Sequence, residues 1–305
     1  MDNDLDQIIE QKNKLLRNWI LNTFLVIGFV VIFGYIFLSA PLENKNITIH
    51  VSSGQSVSSI LLELKNENAI RSELALKIFI KLLKRDSDVI SGDYLIKKDS
   101  PVWVVAWQLS RGHHNIEPIK VTLREGLTNE QIASILAVKL PGFRKDLFMA
   151  KVEGKQGYLF PDTYFFYPLD TSDEIVQKLS NDFGIRTRKI SSQIKSSNKD
   201  FSDILIMASI LEGEASGPDD IKIISGILWK RIALNMPLQV DIDKSTYTHK
   251  GLPNAPLNNP GLMSMDGSLN PISSSYLYYL HDKNGTVHYA RTFEEHKRNI
   301  NNYLK

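Results

Sequence analysis

The chain has 305 residues, which is long enough for two domains with hydrophobic cores of their own. Its 36 Lys and Arg residues nearly balance its 34 Asp and Glu residues, giving a formal net charge of +2. Because the basic residues are dispersed and form no Lys/Arg stripe, we expect no nucleic-acid partner. The sequence contains no cysteine, which excludes disulfides and thiolate metal sites.

An uncharged run of 21 residues from Ile20 to Ala40 is the first predicted element. An α-helix rises about 1.5 Å per residue, so this run is long enough to cross the roughly 30 Å hydrocarbon core of a membrane. A cleavable signal peptide is the alternative, since the run ends in the small residues Ser39 and Ala40. However, the run exceeds the roughly 7–15 apolar residues of a signal peptide, and Pro41 would follow the cut. We therefore predict a single uncleaved transmembrane helix over residues 20–40.

Positive charges flank this helix unequally. Three basic residues precede it, between Lys12 and Arg17, whereas only Lys45 follows it closely. The positive-inside rule then puts residues 1–19, a polar tail with little to hold it in a fold, in the cytoplasm. We predict an integral protein of the inner (cytoplasmic) membrane, whose residues 41–305 lie at the outer face.

A strand–turn–helix pattern occurs twice after the membrane helix, at residues 46–64 and again 72 residues later at 119–136. The matching positions are Gly54 and Gly126, Ser56 and Thr128, Ile60 and Ile132, and Leu64 and Leu136. Ser56 is predicted to cap the first of the two helices, and Thr128 with Gln131 forms a capping-box pattern at the second. Two copies are too few for a solenoid. The pattern is similar to the opening of LysM-type glycan-binding modules, although any βα unit shares it. We predict an α+β protein with a LysM-like βα subdomain over residues 41–115 and a mixed α+β catalytic domain over residues 116–305.

Aromatic residues are dense between Gly157 and Pro168, a segment that also contains two prolines. One interpretation is a hydrophobic plug that packs two subdomains together. The other is the wall of a cleft, where aromatic faces such as that of Tyr164 contact sugar rings and Asp162 hydrogen-bonds to them.

The most apolar predicted helix runs from Ile204 to Leu211 and is followed by Glu212, Gly213 and Glu214. A run so uniformly apolar should be buried on most sides. Desolvation at the edge of a core disfavours the charged form of a carboxyl and raises its pKa. A general acid working near neutral pH requires such a raised pKa. Since successive helical residues turn by about 100°, the two glutamates point roughly 200° apart and cannot face one cleft. We take Glu212 as the acid and Glu214 as a supporting or surface group; the alternative is that both solvate a frayed helix end.

Seven short motifs follow one another along the chain: GYLFPDTY at 157–164, ASILEGE at 208–214, MPLQVD at 236–241, KGLP at 250–253, NNPG at 258–261, LNP at 269–271 and HYARTFEEH at 288–296. In this order they resemble the MltG-type (YceG-like) endolytic peptidoglycan transglycosylases over nearly the whole chain. In that family the first glutamate of the Ala-Ser-Ile-x-Glu sequence is catalytic, which implies this role for Glu212.

The resemblance implies cleavage of the β-1,4 bond between N-acetylmuramic acid and N-acetylglucosamine without water. Glu212 gives its proton to the leaving oxygen and then takes the proton of the muramyl 6-hydroxyl, which closes a 1,6-anhydro ring. One residue serves as acid and base, so the usual pair of carboxylates is not required. The resemblance also implies a role in limiting the length of nascent strands, and cell-wall synthases as partners besides the membrane and the peptidoglycan strands.

Candidate substrate-binding residues are Asp162, Tyr164, Glu214, Gln239, Asp241, Asn259 and Asn270. For several of these and nearby polar residues a purely structural role is the alternative. Gln239 would hydrogen-bond to the loop backbone, Asp241 and Asp243 would belong to a solvated loop, and Glu125 would cap the following helix. His288 and His296 have no metal-ligand spacing. We expect no metal and no cofactor, and assign Glu295 and His296 to holding the cleft together.

Two departures from the family pattern concern the neighbourhood of the proposed acid. Gly213 stands where the family usually has a lysine or a similar polar residue, and residues 240–249 replace a longer insert. The shortened segment puts substrate reach in question more than the chemistry. A non-catalytic glycan-binding scaffold of the synthesis machinery and a conventional hydrolase remain the alternative functions.

Overall fold

The computed structural model describes residues 2–41, 45–83, 89–194, 199–214 and 217–304. It has the predicted mixed α+β composition and divides into two compact units, Met1–Glu117 and Pro118–Lys305. The first unit contains α1 (Asp2–Leu38), β1 (Ile47–Val51), α2 (Val57–Asn66), α3 (Glu73–Leu83), β2 (Gly92–Ile96) and α4 (Val102–Arg111). The second unit contains β3 (Ile119–Thr122), α5 (Asn129–Lys139), α6 (Lys145–Lys151), β4 (Thr163–Phe166), α7 (Ser172–Arg186), α8 (Arg188–Ile194), α9 (Phe201–Glu214), α10 (Pro218–Ala233), α11 (Leu262–Leu269), β5 (Tyr278–His281), β6 (Val287–Ala290) and α12 (Phe293–Tyr303).

The N-terminal helix α1 is 37 residues long and ends at Leu38, just before Pro41. Its segment Lys12–Tyr35 has the length and composition to cross a membrane. The helix also extends back through residues 2–19, the segment predicted to be a polar tail. This segment contains neither Pro nor Gly, and a helix already formed propagates at little cost through such a sequence.

The first unit has a core between a two-stranded antiparallel sheet and its helices. Ile47 of β1 pairs with Ile96 of β2, and alternate residues of β1 are buried, as the predicted strand requires. Ser56 caps α2 by accepting a hydrogen bond from the N–H of Ser59 over 3.2 Å, which confirms the predicted cap.

The second unit begins with a copy of the same β–α–α–β–α order, from β3 to α7, and its first three elements start 72 residues after their counterparts. Ile119 of β3 pairs with Phe166 of β4 in a second antiparallel ladder. The predicted capping box is confirmed: Thr128 accepts from the N–H of Gln131 over 3.2 Å, and Gln131 accepts from the N–H of Thr128 over 2.8 Å. The repeat therefore extends beyond the strand–turn–helix segment that the sequence pattern covers.

Helix α9 is the centre of the second unit. Every residue from Ile204 to Leu211 is buried, as predicted. One side of the helix packs into a cluster with α8 and α11, and the other packs into a cluster with α10 and the 238–240 segment. The helix is thereby fixed by packing up to Leu211, so Glu212 and Glu214, which follow at its half-buried end, are carried on a rigid element.

Two predicted segments differ from the structure. The sequence of residues 172–196 predicts one polar helix with Ser172 as its N-cap, ahead of two acidic residues. The structure divides it into α7 and α8 with Thr171 as the N-cap, and its last two residues lie outside the described part. Residues 235–271 contain regularly spaced Pro and Gly residues, which predict a long irregular segment, but the structure has the short helix α11 within it. A Cβ atom on Gly267 of this helix would lie 2.1 Å from Cγ2 of Ile221. The helix is therefore held by close packing of small residues and lacks the amphipathic pattern by which helices are recognised in a sequence.

Candidate active site

The side chain of Glu212 leaves the buried part of α9 and is held at the start of α11. Its Oε2 atom accepts a hydrogen bond of 2.9 Å from the N–H of Gly261, the N-cap residue of α11. The N-terminal end of a helix carries a partial positive charge, which favours a carboxylate at this place. On the other side, the turn at Gly126 packs against Glu212, since a Cβ atom there would lie 3.4 Å from its Cγ.

Glu125 lies beside the same glycine, which the sequence did not reveal. A Cβ atom on Gly261 would come within 1.7 Å of the Oε1 atom of Glu125, so the carboxyl rests directly on the glycine. Burial, and secondly the charge of Glu212, raise the pKa of the Glu125 carboxyl. Thr128 caps the following helix, and the capping role expected for Glu125 is thereby corrected.

A carboxyl pair at Gly261 is therefore the centre of the candidate site. Two neighbouring carboxylates repel each other, which favours one retained proton in the pair. The sequence offered one signal for Glu125. Its counterpart in the first copy of the repeat is Ser53, so the carboxyl is specific to the copy that contributes to the site.

Asn259 joins three segments that frame the pair. Its Oδ1 atom accepts from the N–H groups of Gly157 (3.0 Å) and Leu159 (2.9 Å). Its Nδ2 atom donates to the carbonyl of Leu127 and to Oδ1 of Asn129, both over 2.9 Å. The residue is 1% exposed, so its side chain belongs to the framework of the site and has no capacity left for a substrate.

Ser209 fastens the same loop to α9. Its hydroxyl accepts from the N–H of Leu257 over 2.9 Å, and its carbonyl accepts from the Nδ2 atom of Asn258 over 2.8 Å. The Ala-Ser-Ile-x-Glu and Asn-Asn-Pro-Gly sequences are thus bonded to each other, which fixes Gly261 next to Glu212.

A cavity of about 470 Å³ lies on the other side of the end of α9. Its lining includes three predicted substrate-binding residues, Glu214, Gln239 and Asp241, together with residues of α10, the β5–β6 hairpin and α12. Glu212 does not line this cavity. The two glutamates of α9 therefore serve different sides of the helix, as their angular separation predicted.

Glu214 is tied to the wall of this cavity through both carboxylate oxygens. Oε1 accepts from the N–H of Asp241 over 2.8 Å, and Oε2 accepts from the hydroxyl of Tyr279 over 3.1 Å. Burial, and then the charge of Glu214, raise the pKa of the Tyr279 hydroxyl well above its ordinary value. Tyr279 therefore remains a hydrogen-bond donor to Glu214 at neutral pH.

Asp241 and Asp243 do not form a carboxylate cluster. Asp241 forms an ion pair with Lys244, and its Oδ1 atom accepts from the hydroxyl of Tyr247 over 2.9 Å. The hydrogen bond from Lys244, followed by that from Tyr247, lowers the pKa of Asp241. Asp243 caps the 3-10 turn at Lys244–Tyr247 by accepting from the N–H of Ser245.

The remaining predicted substrate-binding residues lie away from this cavity. Asp162 accepts from Nη2 of Arg186 over 2.6 Å. Tyr164 is 5% exposed, and its hydroxyl lies 2.8 Å from the carbonyl of Phe160. Asn270 follows the last residue of α11 and donates to an oxygen of Asp266 over 2.8 Å, whereas Gly261 precedes the first residue of that helix.

The two departures from the family pattern touch each other. A Cβ atom on Gly213 would lie 2.6 Å from Cδ1 of Ile242, which belongs to the shortened segment. Helix α9 continues through Gly213 to Glu214, so the glycine does not end it. Glycine at 213 therefore provides the space into which the short loop packs.

The two histidines of the C-terminal motif have different surroundings. His288 pairs with Asp282 over 3.0 Å and stacks on Tyr303. His296 lines the cavity and stacks on Tyr278 at 5.3 Å between ring centroids. The adjacent Glu295 accepts from the N–H of Arg291 at the start of α12, which lowers its pKa.

A model of the YceG-like family matches residues 49–243 and 245–302, and the chain belongs to this family. An endolytic murein transglycosylase of Bacillus subtilis is 27% identical over 333 residues, which cover 92% of this chain and 91% of that protein. The protein of the same name from Streptococcus pneumoniae D39 is 24% identical over 85% of this chain, which spans only 58% of it. The crystal structure of a YceG-like protein from Listeria monocytogenes has the same fold, with a TM-score of 0.53 at 24% identity, over 84% of this chain and 99% of that one.

Proposed function

We propose that this protein is a membrane-anchored endolytic murein transglycosylase whose catalytic residue is Glu212. The carboxyl pair at Gly261 is the observation that carries the proposal, because it places an acid–base group on a rigid, buried helix. The name of the Bacillus subtilis relative supports it, since the two chains match over nearly their whole lengths.

The hydrogen bond at Gly261 assigns the two oxygens of Glu212 different tasks. Oε2 accepts a hydrogen bond from the backbone N–H of Gly261. Oε1 is therefore the oxygen that carries the proton passed to the leaving glycosidic oxygen. As the bond breaks, positive charge develops on the muramyl C1 and ring oxygen. The 6-hydroxyl oxygen then attacks C1, its proton passes to Oε1, and the 1,6-anhydro ring closes. Proton transfer of this kind contributes about 10²–10⁴-fold to the rate.

Glu125 acts on the same proton. Repulsion between two adjacent carboxylates favours one retained proton, and the pKa of Glu125 is raised by burial and by Glu212. Glu125 therefore holds the proton of the pair before the strand binds, and this proton passes to Oε1 of Glu212 for the reaction. The negative charge then left on Glu125 faces the positive charge developing at C1.

The anchor and the first unit complete the proposal. Helix α1 spans the cytoplasmic membrane with its N-terminus inside, and the remainder of the chain works at the outer face. The LysM-like subdomain over residues 41–115 binds glycan strands, and cell-wall synthases are partners. These assignments rest on the sequence pattern and on the family resemblance.

Mass spectrometry of digested peptidoglycan tests the proposal. Anhydro-muramyl ends should form with the unchanged protein and should be absent with Glu212→Gln, which removes the proton but keeps the size of the side chain. The second carboxyl favours one rival, a hydrolase, because glycoside hydrolysis ordinarily uses two carboxylates. New reducing ends would identify that rival, and no new ends would identify a binding scaffold.

A further inference from the structure

Arg231 is a buried cation at the wall of the 470 Å³ cavity. It is only 4% exposed, and among the described residues no carboxylate lies within ion-pair distance of it. One of its five N–H donors goes to Oε1 of Gln239, and the guanidinium lies 5.5 Å from the ring centroid of Tyr278. Buried charges are rarely left without a counter-charge, so this one points to an anion that comes from outside the chain.

Among the described residues, two histidine nitrogens at the same cavity also have no hydrogen-bond partner. Within the described part of the chain, Nε of Arg231, Nε2 of His281 and Nδ1 of His296 are buried and have no hydrogen-bond partner. All three residues line the cavity. Buried polar atoms are nearly always bonded, and three of the ten exceptions among the described residues belong to residues that line this cavity. This concentration marks the cavity as a place where a bound group completes the hydrogen bonding.

Gln239 adds a strained backbone at this point. Its φ is +55°, in the left-handed region that residues other than glycine rarely adopt. Its side-chain carbonyl accepts from Nη2 of Arg231 and so orients the guanidinium. Strain of this kind is maintained where the surrounding structure holds a residue for a binding or catalytic task.

The cavity has a cationic end and an acidic end. Burial, and secondly the charge of Arg231, lower the pKa of His296, so its ring remains neutral beside the guanidinium. At the acidic end, Glu214 already accepts from Asp241 and Tyr279, and Asp241 is paired with Lys244. The acidic groups are therefore neutralised or bonded within the protein, whereas Arg231 is bonded to Gln239 but has no counter-charge among the described residues.

We propose that Arg231 binds a carboxylate of the peptidoglycan strand, oriented by Gln239 and completed by hydrogen bonds from the neighbouring histidines. This inference rests on the proposed function, which supplies the strand as the ligand. Two kinds of carboxylate have the required chemistry: those of the peptide stem, and that of the muramyl lactyl group, which is free only on sugars whose stem has been removed.

The first experiment leaves Arg231 unchanged and alters the strand. Binding to the full-length Glu212→Gln protein is measured for peptide-bearing strands and for strands freed of peptide by an amidase, each before and after coupling of the carboxylates to methylamine. Neutralisation should weaken binding about tenfold or more. A loss with peptide-free strands identifies the lactyl carboxylate, and a loss confined to peptide-bearing strands identifies the stem. Equal binding before and after neutralisation overturns the proposal and leaves the cavity to water.

The second experiment alters the cation. Arg231→Gln should weaken binding of the native strands by the same factor and leave binding of the neutralised strands unchanged, as a double-mutant cycle requires. Arg144→Gln, which removes an exposed arginine paired with Asp146, is the control and should change neither. If the variant melts like the unchanged protein, equal losses of affinity for native and neutralised strands contradict the proposal. If the variant does not fold, the first experiment decides. Analysis of the reaction products tests the proposed function separately. The absence of anhydro ends would contradict the proposed function but would not remove carboxylate-dependent binding.

Discussion

The carboxyl of Glu125 fills the space beside Gly261, where a Cβ atom would lie 1.7 Å from its Oε1. The same glycine donates its N–H to Glu212 over 2.9 Å. Its φ of −80° suits any residue, so glycine is needed here for space and not for backbone conformation. A single position in the NNPG motif therefore determines where both carboxyls lie.

Gly261→Ala should move the Glu125 carboxyl and lower the rate of strand cleavage. A displacement of about 1 Å at a reacting group can cost on the order of a hundredfold. The rate of formation of anhydro-muramyl ends measures the effect. Gly184→Ala is the control, because nothing lies within 4 Å of the added Cβ. It should leave the rate unchanged and stabilise α7 by up to about 1 kcal/mol. An unimpaired Gly261→Ala protein would mean that cleavage does not depend on this arrangement.

Glu125→Gln should reduce the dependence of stability on pH. The raised pKa of Glu125 means that the folded protein binds this proton more tightly than the unfolded chain. The resulting stabilisation is complete below the ordinary value of 4.5 and is lost as the pH rises through the raised pKa. Glutamine cannot titrate, so the decrease in unfolding free energy from about pH 4 to about pH 7 should be smaller in the variant. Urea denaturation at both pH values measures it, and an identical decrease in the two proteins would contradict the assignment.

Asn259→Ala should destabilise the second unit by about 3 kcal/mol or more, since it leaves the buried N–H groups of Gly157 and Leu159 and the side-chain oxygen of Asn129 without this partner. Asn270→Ala removes one exposed hydrogen bond to Asp266 and should cost less than about 1 kcal/mol. Both asparagines were predicted from the sequence to bind substrate, so the pair also tests that prediction. Thermal denaturation and strand binding should separate them: a stable Asn259→Ala protein that fails to bind strands would restore a direct role for this residue.

Local signals in the sequence predicted the helices and strands but not the contacts between them. The burial of α9 follows from an unbroken apolar run, and the caps at Ser56 and Thr128 follow from short-range hydrogen bonds. Glu125 precedes Glu212 by 87 residues (212 − 125), and their proximity depends on the loop that Asn259 holds in place. No local pattern encodes such a contact. The same reason explains why the sequence favoured a ligand-binding role for Asn259. The sequence of a Pro/Gly-rich loop does not distinguish an asparagine that faces solvent from one that is buried.

Gly213→Ala tests whether the shortened loop and the glycine depend on each other. In an exposed helix, Ala in place of Gly would normally stabilise by up to about 1 kcal/mol. Here the new Cβ would lie 2.6 Å from Cδ1 of Ile242, so that side chain must turn aside, and we expect the usual gain to be cancelled and the Asp241 end of the cavity to be displaced. Ile242→Ala removes the obstructing atoms, so Gly213→Ala should show its full gain when it is made in the Ile242→Ala protein. Urea denaturation of the four proteins gives the coupling energy, and a value near zero would mean that the two departures from the family pattern arose independently.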